Sequence, residues 1–143
     1  VGRIYDWYKK REKREYIGSE DPGVIFVKSI YDYYKKFDHK TQIMGASFRN
    51  IQQIIELAGC DLLTISPSLI NELSSNNDKL NVKLSTKKSK LKNILPLKIS
   101  DEECLFLMNK DLMASEKLEE GILLFKKDYE KLVSIISKCF YKI

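Results

Sequence analysis

Apolar and polar positions follow two rhythms along this chain. Ile4, Trp7 and Tyr8 recur at helical spacing with charges between them, which predicts a short helix from Ile4 to Arg14. After a loop at Gly18 and Ser19, Asp21 and Pro22 read as N-cap and first residue of a second helix. That helix runs through Val24, Val27, Ile30, Tyr31 and Tyr34, and Lys35 and Lys36 at its end suit the helix dipole. The rhythm then changes. TQIMGAS (41–47) is short, nearly continuously apolar and ends in small residues, the pattern of a strand buried on both faces. A helix from Arg49 follows, with Ile51, Ile54, Ile55 and Ala58 on one face and Gly59 closing it. CDLLTISP predicts a second buried strand ended by Pro67, with a helix over about Ser68–Leu73.

From Ser74 to Lys98 the chain is polar and lysine-rich and reads as an extended surface connection. Ser100 and Glu103 form a capping-box signature for another helix. Finally Leu118, Ile122, Phe125, Tyr129, Leu132, Ile136 and Phe140 recur every three or four residues, an amphipathic stripe running from Ser115 to about Phe140. Helix, strand, helix, strand, helix with short links implies α/β architecture with parallel strands and crossover helices. Two strands alone make neither a covered sheet nor a closed barrel, so the chain by itself looks incomplete.

Composition narrows the classes. The 143 residues are 43% hydrophobic and 31% charged, a globular balance, and no apolar run reaches the length of a membrane-spanning helix. No signal peptide opens the chain, so a cytoplasmic location is expected. Three widely spaced cysteines (Cys60, Cys104, Cys139) and one histidine (His39) suit buried thiols and a turn residue better than a disulfide framework or a metal site. The formal charge of +5 comes from the Lys79–Lys92 stretch, which holds six lysines and no acid. Basicity confined to one segment argues against a folded nucleic-acid face. A basic helical module using KKREKR and Lys79–Lys92 is nevertheless the alternative class to weigh.

Candidate chemistry gathers where the first strand ends. Met44-Gly-Ala-Ser-Phe-Arg-Asn50 offers a hydroxyl, Ser47, and a guanidinium, Arg49, at the C-terminal end of a parallel strand, where α/β folds bind ligands. A helix start and a planar fork both suit phosphate. Two readings stand open: a phosphate seat, or a local N-cap at Ser47 with a local salt bridge at Arg49. Arg3, at the start of the first helix, is either an anion ligand or an exposed terminal charge. A Schiff-base lysine needs an apolar strand setting. Neither candidate strand holds a lysine, and Lys83 is the nearest. No Walker loop, serine elbow or GxGxxG is present.

VGRIYDWYKK, EDPGV, IYDYYKKF, MGASFRN, IIELAGCDLLTISPSLINEL and MASEKLEEGILLF, in this order, resemble the C-terminal part of transaldolase over essentially the whole chain. The resemblance implies the last portion of one (β/α)8 TIM barrel: 1–75 the last β/α units, 76–99 a basic connection, 100–143 C-terminal helices. It implies transfer of a dihydroxyacetone unit from a ketose phosphate (sedoheptulose 7-phosphate or fructose 6-phosphate) to an aldose phosphate, through a lysine Schiff base and without cofactor or metal. That chemistry belongs to the non-oxidative pentose phosphate pathway. Arg3, Ser47 and Arg49 fall on the family's phosphate-binding positions. The catalytic lysine, carboxylates and asparagine fall upstream of Val1, so this chain holds no catalytic residue and alone is expected to be inactive. The expected partners are sugar phosphates, the missing N-terminal part of the same enzyme and, since family members are often homodimers, a second copy. Neither nucleic acid nor membrane is expected.

Overall fold

The computed structural model describes residues 1–140, which fall into two compact units, one over Val1–Leu97 and one from Lys98 onward. The first carries α1 (Gly2–Glu12), a 3-10 turn (Gly18–Glu20), α2 (Pro22–Lys36), β1 (Met44–Gly45), α3 (Ile51–Glu56), β2 (Leu62–Leu63), α4 (Pro67–Ser74) and α5 (Thr86–Leu91). The second carries α6 (Asp101–Lys110) and α7 (Leu112–Phe140). No described helix is long and apolar enough to cross a membrane.

Capping chemistry set several boundaries. Asp21 caps α2 by accepting from the N–H groups of Gly23 and Val24, with Pro22 in the first turn, where its missing N–H costs nothing. Pro67 opens α4 in the same way. Ser100 caps α6 through Glu103 N–H at 3.1 Å. At α3 the cap is Asn50, whose side chain accepts from Gln53 N–H, so the helix begins two residues later than the sequence suggested and Ser47 is not its cap. It also ends early, at Glu56. Gly59 follows at φ +100°, and a Cβ there would lie 2.1 Å from the Leu84 carbonyl, so both conformation and space demand glycine.

β1 and β2 pair in parallel, Met44 opposite Leu62 and Gly45 opposite Leu63, with Leu62 N–H to Ile43 O at 3.1 Å and Thr64 N–H to Gly45 O at 2.8 Å. The pair is shorter than the apolar runs predicted, and it is not buried on both faces. Gly45 is buried, whereas Met44 is 54% and Leu62 40% exposed. On the covered side, Val24, Val27 and Tyr31 of α2, Phe48, Ile54 of α3, Leu57 and Leu84 form the core. Neighbouring strands stabilise a ladder by supplying partners, and the described residues hold two strands.

The lysine-rich segment is not an extended connection throughout. Thr86–Leu91 is helical, capped by Ser85, and packs on α2. Ser89, fully buried, donates to Asp32 at 2.7 Å, and Lys92 pairs with the same carboxylate. Lys90 reaches Asp38 at 2.5 Å, and its carbonyl accepts from Lys36 at 2.7 Å. Lysine crowding hid a docked helix, because the acids that pair with Lys90 and Lys92 lie on α2 and in the turn after it, more than fifty residues earlier. In the second unit α7 is longer than predicted at its start, and its stripe is exposed from Leu118 (53%) to Phe140 (76%) rather than packed as core.

Candidate functional site

The site is built where the turn after β1 meets the first turn of α1. Ser47 takes the left-handed conformation, φ +60°, one that non-glycine residues enter at a cost of about 1–2 kcal/mol. In that conformation its carbonyl accepts from Gly2 N–H at 2.9 Å and from Arg49 Nη1 at 2.9 Å. The Val1 nitrogen donates to Ala46 O at 3.0 Å, which adds a second stitch between α1 and the turn. Gly2 is buried, and a Cβ on it would sit 2.0 Å from Ser47 O and 2.8 Å from Arg49 Cζ. Only glycine admits this approach. Phe48, 8% exposed, anchors the turn in the core, while Ser47 and Arg49 stay at the surface.

Arg49 is held at both ends. Its backbone N–H donates to Gln53 Oε1 at 2.7 Å. Gln53 is buried, and its Nε2 donates to Asp21 Oδ2 at 2.7 Å, while the other oxygen of Asp21 caps α2. The guanidinium meets Asp6 in a fork: Nε contacts both carboxylate oxygens at 3.2 and 3.1 Å, and Nη2 reaches Oδ2 at 2.8 Å. Asp6 and Ser47 O together take three of the five N–H donors a guanidinium carries. Arg49 therefore does form a salt bridge, but with Asp6, 43 residues earlier, rather than with a local partner, and it keeps donors beyond those that pin it.

Arg3 lies exposed on the first turn of α1, next in sequence to the glycine bonded to Ser47. Residues three apart share a helix face. Arg3 therefore sits on the side of α1 that carries Asp6, and Asp6 reaches Arg49. The backbone thus brings Arg3, Ser47 and Arg49 to one end of the strand pair. It does not use the start of α3 for this, because Asn50 and Gln53 occupy that helix start from within. Asp6, Gln53 and Gly2 escaped the sequence reading. The Arg3–Asp6 spacing was a usable signal, whereas the Asp21 partner of Gln53 and the Ser47 partner of Gly2 lie more than thirty residues away.

No lysine lies on β1 or β2. Lys83 pairs with Glu56 at 3.0 Å, and Lys28 with the same residue at 2.5 Å. Hydrogen bonding from Lys28 leads in holding the Glu56 carboxyl below its ordinary value, and Lys83 adds to it. Burial opposes ionisation of Asp61, yet Lys35 at 2.8 Å and the Ile43 N–H at 2.8 Å outweigh it and hold that carboxyl low as well. These are structural ion pairs. Cys60 is half-buried with its thiol on Ile43 O, and His39 stacks on Tyr33 in a turn after α2.

Short parallel strands, packed helices and an arginine-bearing rim at the strand ends define a piece of an α/β protein. The model of the transaldolase/fructose-6-phosphate aldolase family matches residues 1–136, and the chain belongs to that family. It is 52% identical to a transaldolase of Protochlamydia amoebophila over the whole chain and 44% of that protein. It is 52% identical to one of Rhizobium etli over 96% of the chain and 42% of that protein. It is 51% identical to one of Thermosynechococcus vestitus over the whole chain and 37% of that protein. The chain thus spans less than half the length of these relatives.

Proposed function

We propose that this chain is the C-terminal part of a transaldolase barrel and supplies its substrate phosphate seat. Arg3, Ser47 and Arg49 grip the phosphate of a ketose phosphate, fructose 6-phosphate or sedoheptulose 7-phosphate. The carbonyl at the far end then reaches a Schiff-base lysine contributed by upstream polypeptide. The dihydroxyacetone unit passes to an aldose phosphate in the non-oxidative pentose phosphate pathway, in the cytoplasm. Binding energy spent at the phosphate orients the reacting end, which is how a remote contact raises the rate. The role is positioning, so the chain alone is inactive.

One observation carries this reading: the Arg49 guanidinium is fixed by Ser47 O and by Asp6, which shares a face of α1 with Arg3, and it has further donors to give. The basic nucleic-acid alternative has less to work with. Lys83, Lys88, Lys90 and Lys92 are engaged with Glu56, Val82 O, Asp38 and Asp32, and Arg11 and Arg14 lie over the Trp7 and Tyr16 rings.

In the full-length enzyme, Arg49→Ala is expected to cut kcat/KM for fructose 6-phosphate far more than for unphosphorylated fructose. Steady-state kinetics on both sugars checks it, and an equal loss on both counts against a phosphate role. Arg3→Lys is expected to damage the same substrate selectively, because a point charge does not replace a fork.

A further inference from the structure

We propose that Asp6 is a positioning residue that aims Arg49 at the phosphate; the proposal rests on the phosphate reading of Arg49. An arginine side chain in water samples many rotamers, and a ligand that must order it loses affinity. Here the ordering is done in advance. The Asp6 carboxylate meets Nε and Nη2 in a fork, and Ser47 O takes Nη1, so the guanidinium plane is fixed by two acceptors from different elements. Those elements are themselves joined, since Gly2 N–H, one turn before Asp6 on α1, bonds the same Ser47 carbonyl. The backbone that carries Asp6 is therefore held against the turn that carries Arg49.

A carboxylate beside an anion site has an electrostatic cost, and that makes the proposal decidable. If Asp6 were only a counter-charge, removing it would strengthen phosphate binding. If it aims Arg49, removing it weakens binding despite the gain in positive charge. Asp6 is 47% and Arg49 39% exposed, and an exposed ion pair contributes little to folding. Variants at Asp6 are therefore expected to fold.

The test is a kinetic cycle in the full-length enzyme, read as the ratio of kcat/KM for fructose 6-phosphate to that for fructose. Asp6→Ala should lower this ratio about tenfold, chiefly through KM, the scale of a hydrogen bond to a charged group. Asp6→Asn, which keeps one acceptor, should lower it less. In an Arg49→Ala background Asp6→Ala should change the ratio no further, because there is nothing left to aim. A ratio that stays constant or rises in Asp6→Ala, or a loss that persists in the Arg49→Ala background, overturns the positioning role. The Arg49→Ala single variant separates the two failures. If its own ratio does not fall, the phosphate reading fails and takes this proposal with it. If its ratio falls while that of Asp6→Ala does not, only the positioning role is lost.

Discussion

At Gly2 the fold tolerates no side chain. Its N–H bonds Ser47 O at 2.9 Å, and an added Cβ would overlap that oxygen at 2.0 Å. The obstacle is backbone, so no rotamer change relieves it, and α1 must move away from the turn. Gly2→Ala is expected to destabilise the enzyme by about 2 kcal/mol, the scale of overpacking, and to lower use of phosphorylated sugars more than of unphosphorylated ones. Urea denaturation together with the two-sugar kinetics checks both parts. Gln53 makes a similar point through hydrogen bonds. It is buried with both ends of its amide engaged, accepting from Arg49 N–H and donating to Asp21, so its orientation is fixed by its partners. Glycine and glutamine are common residues, and nothing local marked these two. Arg3 and Arg49 were legible because few arginines exist and each begins or precedes an element.

Elements are fastened by a small set of charge pairs. Lys28 and Lys35 stand seven residues apart on α2, two turns and hence one face, and each meets an acid: Glu56, the last residue of α3, at 2.5 Å and Asp61, just before β2, at 2.8 Å. Both carboxyls are held below their ordinary values in the fold. A depressed folded pKa contributes stability above the unfolded value and loses it as pH falls through the folded one. For Glu56 the loss therefore begins as pH drops below the ordinary 4.5. Glu56→Gln is expected to lower stability at pH 7 and to flatten its fall below pH 4.5. Denaturant midpoints measured from pH 7 downward check it, and an acid limb as steep as in the parent protein would contradict it. The same logic explains why α5 was missed. Its six residues TKKSKL carry three lysines and one apolar side chain, a weak helix signal, and its capping serine and its acid partners on α2 and in the turn after it compensate.

On the scale of the whole molecule, the strand pair is the telling feature. Met44 and Leu62 are large apolar side chains on paired strands, yet both are exposed. Parallel strands are ordinarily covered on both faces. The chain spans less than half of its transaldolase relatives, and a closed barrel takes about 250 residues. Intact mass spectrometry of the purified protein is expected to find upstream polypeptide carrying the missing strands. Borohydride is then expected to trap fructose 6-phosphate on a lysine of that polypeptide. Trapping on a lysine of the present 143 residues would refute the division of labour proposed above.

By itself the sequence determined all the α-helices but the one over Thr86–Leu91, where Asp21, Pro22, Pro67 and Ser100 start them, that two apolar runs pair in parallel, and that basic groups follow the first. These are local matters: periodicity, caps and fixed proline dihedrals act within a few residues, so a few residues reveal them. Tertiary structure alone decided how short the strands are, that the lysine run docks on α2, and that Asp6, Gln53 and Gly2 shape the surroundings of Arg49. Most of these depend on contacts between residues far apart in the chain, Asp6 with Arg49, Gly2 with Ser47, Gln53 with Asp21 and Ser89 with Asp32, and no spacing rule along the chain encodes a distance that only folding closes.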